Sequence, residues 1–178
     1  LSTAATLEFG IWNQLLPDTI FAGDSLEVPL TIESLTAHNI PSGTSFNREL
    51  WLEIIVRNDN DILYSSGYIQ NDMDNLDYSD PDLLYFKSFL INENGDTTRS
   101  ILDTYDIINN SLAPYSERFK IYTLYIPEDI DNNIDISCRL LFRPFDPQFI
   151  LEHNEDLINN IPTYEIFEIN KQIILNNR

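Results

Sequence analysis

Arg48-Glu49-Leu50-Trp51-Leu52-Glu53-Ile54-Ile55-Val56 is a strand-like run that carries the clearest structural signal in the chain. It follows a short turn, His38-Asn39-Ile40-Pro41-Ser42-Gly43, and this turn follows an alternating strand pattern with Leu26, Val28, Leu30 and Ile32 on one face. A histidine in a loop between two such strands is presented outward. Neutral imidazole binds haem iron and transition metals, so His38 is the first candidate ligand.

Period-two patterns extend along most of the chain and predict strands at residues 6–12, 26–33, 50–58, 62–69, 87–92, 97–103, 118–126, 134–142 and 164–169. Polar turns separate them, including Asn58-Asp59-Asn60-Asp61 and the pair Asn94-Gly95. Asp146 followed by Pro147 predicts a short helix near the C-terminus. We therefore expect an all-β fold, an antiparallel immunoglobulin-like β-sandwich with one short C-terminal helix. Residues 1–170 form the predicted domain, and residues 171–178 are predicted to be a tail.

The composition excludes several kinds of partner and site. Ten Lys and Arg against 29 Asp and Glu give a net charge of −19, which disfavours nucleic acid and anionic membrane surfaces. No stretch reaches the roughly 18 apolar residues that a membrane span needs. The single cysteine, Cys138, lies in a strand pattern and is predicted to be buried. One cysteine excludes an internal disulfide, a cysteine-based zinc site and covalent haem attachment by this chain.

Two charged groups have more than one interpretation. Asp72, Asp74, Asp77, Asp80 and Asp82 lie in one loop, which is either a solvated acidic loop or a calcium site. Arg139 and Arg143 share a strand face, and they either pair with buried carboxylates or approach a haem propionate. No motif of nucleophilic, metal-dependent or nucleotide-dependent catalysis occurs, so we do not expect an enzyme.

The sequence Thr36-Ala37-His38-Asn39-Ile40-Pro41-Ser42-Gly43, followed by Arg48, Trp51 and a hairpin ending Tyr64-Ser65-Ser66-Gly67, resembles the C-terminal β-sandwich module of multihaem c-type cytochromes. In that module the turn usually reads Gly-His-x-x-Pro-Thr-Gly, followed by Arg-x-x-Trp. The later Asp80-Pro81-Asp82-Leu83, Phe86-Lys87-Ser88 and the run 139–145 also match its habits. The resemblance covers residues 26–169.

The resemblance implies a role for His38 as the distal axial ligand of a haem. Ala37 replaces the usual glycine, and Cys-x-x-Cys-His is absent. Either the haem is haem c carried by a partner chain or by a segment outside this sequence, or the module has lost its electron-transfer context. It also implies a non-catalytic module of an electron-transfer assembly in the periplasm or at the cell surface.

A second hypothesis is an extracellular adhesion or carbohydrate-binding sandwich. In that case the calcium in the acidic loop would be structural, and exposed aromatic residues would stack on sugars: Tyr64, Tyr68, Tyr78 and Tyr85.

Overall fold

The computed structural model describes residues 3–153 and 161–176. The described strands are β1 (Ala5–Phe9), β2 (Thr19–Phe21), β3 (Ser25–Ser34), β4 (Glu49–Asn58), β5 (Asp61–Ser66), β6 (Leu84–Phe86), β7 (Ser88–Ile91), β8 (Thr97–Thr98), β9 (Asp106–Asn109), β10 (Glu117–Tyr125), β11 (Ile134–Arg143) and β12 (Tyr164–Asn176). The helix α1 spans Pro147–His153, and a 3₁₀ turn spans Ile101–Asp103.

The strands form two main sheets and one small one. The first has the order β1-β3-β10, and the second has the order β2-β12-β11-β4-β5, with β6 also paired to β4. The small sheet has the order β8-β7-β9. Neighbouring strands are antiparallel throughout the described part of the chain, except for the parallel pair of β12 and β2. This architecture confirms the predicted all-β sandwich.

The core lies between the two main sheets. Alternate residues of β3 point into it, and so do alternate residues of β4 and β11, as the period-two pattern requires. The buried members of these three strands include Val28, Leu30, Ile32, Leu52, Ile54, Val56, Ile136, Cys138 and Leu140. Cys138 is therefore a buried apolar residue, as predicted.

Strand β4 is buried on both faces, because a second cluster covers its outer side. Trp51 packs there with Leu141 of the neighbouring strand and with Leu76 and Leu83 of the loop after β5. The acidic loop therefore lies on the outer face of the β4–β11 pair.

The predicted helix is confirmed. The Asp146 carboxylate accepts hydrogen bonds from the backbone N–H groups of Gln148 (2.8 Å) and Phe149 (3.2 Å), which satisfies donors at the helix start. Within the described residues, no helix has the length and apolarity needed to cross a membrane.

The predicted C-terminal tail is wrong for residues 171–176, which continue β12. Residues 171–173 pair with β11, and residues 174–176 pair with β2. Ile173 is fully buried, so the period-two pattern extends beyond Ile169 although polar residues lie between the two. Residues 177 and 178 lie outside the described residues. The predicted strand at 97–103 is the short β8 followed by the 3₁₀ turn.

Candidate functional site: the His38 turn

His38 lies on the bend between β3 and β4, and its side chain is exposed. Its Nδ1 is 3.0 Å from the backbone carbonyl oxygen of Asn39. A carbonyl oxygen can only accept a hydrogen bond, so Nδ1 carries the proton in the neutral ring. This tautomer leaves the lone pair on Nε2, the arrangement that a metal-binding imidazole needs.

Backbone hydrogen bonds hold the turn that carries His38. Ile40 and Leu112 exchange two of them, at 2.9 and 2.8 Å, and both side chains are buried. The Thr36 hydroxyl donates to the His38 carbonyl at 2.7 Å. The Ile40–Pro41 peptide bond is cis, and Gly43 has φ +68°, a conformation that favours glycine. The hydrogen bonds of Thr36 and Ile40 therefore hold the bend on both sides of His38.

Arg48 closes the far side of the turn. Its Nη1 donates to the Ser42 carbonyl at 2.6 Å, which links the start of β4 to the turn. Two exposed apolar side chains, Leu35 and Tyr115, lie at the same end of the sandwich, since Ser34 and Ser116 are joined by a backbone hydrogen bond of 2.9 Å.

Both strand arginines pair with buried carboxylates of β4. Arg139 contacts Glu53 at 2.7 Å, and Arg143 contacts Glu49 at 2.5 and 2.9 Å. Arg139 lies opposite Glu53 and Arg143 lies opposite Glu49 in the β4–β11 register. The two arginines are therefore four residues apart, as are the two glutamates. Burial raises the pKa of Glu53, although Arg139 lowers it in part. Of the two interpretations of the arginines, the structure supports pairing with carboxylates.

The pair of Glu49 and Arg143 belongs to a larger buried network that the sequence did not reveal. Lys87 donates to Glu49 at 3.0 Å and to Asp146 at 2.6 Å, and the Tyr78 hydroxyl also donates to Glu49. Burial, followed by the adjacent Glu49 carboxylate, raises the pKa of the Tyr78 phenol. The network could have been indicated by the charged residues that interrupt otherwise apolar strands, such as Glu49 in β4 and Arg143 in β11.

The five aspartates of the acidic loop are engaged with protein groups in different ways. Asp74 accepts from the backbone of Gln70 and Asn71, Asp77 accepts from Ser79, and Asp80 accepts from Ser66 and from the backbone of Asp82.

The remaining contacts tie the loop to its surroundings. Asp82 contacts Tyr64 (2.8 Å) and Lys120 (3.1 Å), and the backbone carbonyls of Asp72 and Asp74 accept from Arg143. Across residues 3–153 and 161–176, no three His, Cys, Asp or Glu side chains form a group able to hold a metal ion. Calcium binding by this loop stays a prediction.

The tyrosines proposed for sugar stacking do not form an open platform. The Tyr64 and Tyr78 hydroxyls bond to carboxylates, and Tyr85 packs edge-on against Tyr78 and Phe89. Tyr68 is 38% exposed. A different aromatic residue, Trp12, is 83% exposed.

The sequence matches no protein-family model, and none of the curated proteins matches it either. Among solved structures, the chain is similar to a penta-heme cytochrome c552 from Thermochromatium tepidum, with 16% identity and a TM-score of 0.72. The match covers 97% of this chain and 40% of the cytochrome chain.

Two weaker similarities have TM-scores too low to support an argument. One is to a CARDB domain from Pyrococcus furiosus in complex with di-metal ions, with 11% identity, coverage of 97% of this chain and 87% of that chain, and a TM-score of 0.38. The other is to the human F-spondin reeler domain, with 11% identity, coverage of 98% and 90%, and a TM-score of 0.32. The similarity to the penta-heme cytochrome, by contrast, shows that the chain shares its β-sandwich fold with part of that protein.

Proposed function

We propose that this chain is a non-catalytic β-sandwich module of an extracytoplasmic multihaem cytochrome assembly, in which His38 supplies the distal axial ligand to a haem c held by a partner segment. The observation that carries the proposal is the state of the His38 ring. The ring is exposed and its Nδ1 lies 3.0 Å from the Asn39 carbonyl oxygen, a contact that places the proton of the neutral ring on Nδ1 and leaves the lone pair on Nε2.

The haem would have to come from elsewhere. Cys138 is the only cysteine of the chain, it is fully buried, and burial, together with a smaller effect of Glu53, raises the pKa of its thiol. This residue therefore cannot form a thioether bond to a haem vinyl group in the folded chain. A haem c brought by a partner would supply one-electron transfer at its iron. The chain's own residues would orient the imidazole, through the hydrogen bonds of Thr36, Asn39 and Ile40.

The fold similarity to part of a penta-heme cytochrome supports the cytochrome context of the proposal. The chain corresponds to only 40% of the penta-heme cytochrome, so a haem-bearing segment as large as the remainder of that protein is compatible with the proposal. The acidic character of the chain favours a partner with basic surface residues. The resemblance to multihaem c-type cytochromes is our reason for placing the assembly outside the cytoplasm.

A haem peptide with one open axial position tests the ligand role directly. Titration with the wild-type chain should convert the ferric haem from high spin to low spin, which is read as a Soret shift. His38→Ala should abolish the shift, and His153→Ala, the matched control, should retain it. A Soret shift that persists in His38→Ala contradicts the proposal. So does the absence of a shift when the wild-type chain is present at high concentration.

A further inference from the structure

Trp12 is a large aromatic residue in a position that neither burial nor backbone preference explains. Its side chain is 83% exposed, and its φ is +50°, a region that disfavours bulky residues. A tryptophan there gains little from the hydrophobic effect and bears a conformational cost. Strain of this kind is a reason to look for a function at the residue.

The turn holds the indole in a fixed place. Ile11 and Gln14 exchange two backbone hydrogen bonds of 2.9 Å around Trp12 and Asn13, which closes a tight turn. On its inner side the indole contacts Phe119 of β10, with ring centroids 5.3 Å apart. The contact with Phe119 therefore holds one side of the indole in place, and the rest of the ring is exposed.

A groove with a volume of about 430 Å³ opens next to this turn, and this volume is within the range of small-ligand sites. Leu15, Pro17 and Phe21 supply apolar surface to it. Trp12 is not itself a lining residue of the groove. One face of β10 joins the two, because it runs from Thr123 in the groove past Ile121 to Phe119, which contacts the indole.

Polar side chains line the same groove. Gln14 donates to Glu27 at 2.8 Å, which orients both groups, and Thr123 adds a hydroxyl. The charged residues in the lining, Asp24 and Glu27, are acidic, and no Lys or Arg is among the described lining residues. An anionic ligand would meet unfavourable charge there, while hydroxyl groups would meet acceptors and donors.

We propose that Trp12 and this groove form a binding site for an uncharged oligosaccharide, with one pyranose ring stacked on the indole. The C–H face of a pyranose is apolar and packs on an aromatic ring, and its hydroxyls hydrogen-bond to carboxylates, amides and threonine. The site is independent of His38, so it holds whether or not the chain binds haem.

The test uses the intrinsic fluorescence of the whole chain. Of the two tryptophans, Trp51 is fully buried, so emission quenched by acrylamide reports Trp12. The probes are cello-, malto-, manno- and chito-pentaose, with an oligogalacturonide as the acidic control. At least one neutral pentaose should protect Trp12 from acrylamide in a saturable way, and the acidic control should not.

Trp12→Ala should weaken binding of that pentaose at least 10-fold by calorimetry. Leu102→Ala, an apolar control that is more exposed still at 96%, should leave binding unchanged. The proposal is overturned if no neutral pentaose acts at about 10 mM. It is also overturned if Trp12→Ala binds as well as the wild type, or if protection rises with protein concentration alone, which would indicate self-association through Trp12.

Discussion

Replacing Arg143 with methionine removes the cation that joins the sheet to the acidic loop. The guanidinium is fully buried, and it donates to Glu49 through Nε and Nη2. Its Nη1 donates to the carbonyls of Asp72 and Asp74 at 2.8 Å each. The guanidinium also lies over the Trp51 ring at 5.2 Å. Methionine has similar length but donates none of these hydrogen bonds.

The expected loss follows from what stays behind. Glu49 remains buried with Lys87 and Tyr78, and two carbonyls lose their charged donor. Removal of one member of a buried ion pair costs about 3–5 kcal/mol. With an unfolding entropy of about 2.1 cal/mol/K per residue, or about 0.37 kcal/mol/K for this chain, the melting temperature should fall by about 8–13 °C.

Urea unfolding and calorimetry of wild type and Arg143→Met measure this loss. Lys171→Met is the matched control, because Lys171 pairs at 2.6 Å with Asp18, a carboxylate whose side chain is 86% exposed. The control should lose less than about 1 kcal/mol. If Arg143→Met also loses less than about 1 kcal/mol, the reasoning that the buried arginine anchors the loop is refuted.

Three further predictions concern other residues. Burial alone would raise the pKa of Asp146, but Lys87 and the helix N–H groups lower it overall, so this carboxylate stabilises the fold above pH of about 4 and the contribution is lost as pH falls through the lower folded pKa. Asp146→Asn should therefore be less stable at neutral pH and lose less further stability in acid titration than the wild type does; equal acid sensitivity would contradict this. Gly67→Ala should lose more than about 3 kcal/mol, since a Cβ would lie 2.5 Å from the Leu52 carbonyl oxygen, whereas Gly95→Ala, with open space and a similar φ, should lose about 1 kcal/mol; equal losses in urea unfolding would rule out the clash. The Cys138 thiol should react with a thiol reagent only at the rate of unfolding, because it is fully buried; fast labelling of the native chain would show otherwise.

Most of the fold could be predicted from the period-two pattern because most of the long strands bury one face. Strand β11 alternates in this way over most of its length. In β3 the apolar core residues alternate, although the residues between Val28 and Ile32 are also buried. The predicted bounds of both strands lie within a residue of the observed ones. The short strands β2, β6 and β9 were missed, since three or four residues carry too little pattern. The end of β12 was missed because polar residues fill its exposed positions up to the buried Ile173.

The candidate site was only partly predictable. The outward position of His38 followed from its place between two strands, but its hydrogen bond to Asn39 depends on the local backbone and could not be read from sequence. The pairing of Arg143 with a carboxylate was one of two interpretations, and the addition of Lys87 and Asp146 required the tertiary arrangement. Trp12 gave no signal, because its unusual φ and its groove exist only in the folded chain.

Long-range ¹H–¹⁵N NMR of the imidazole of His38 tests the central claim most directly. In the neutral ring Nδ1 should be protonated and Nε2 unprotonated. Addition of a ferric haem peptide should then broaden the His38 resonances selectively, at the same concentrations that shift the Soret band. A protonated Nε2, or His38 resonances unchanged at saturating haem peptide, would contradict the assignment of this histidine as an iron ligand.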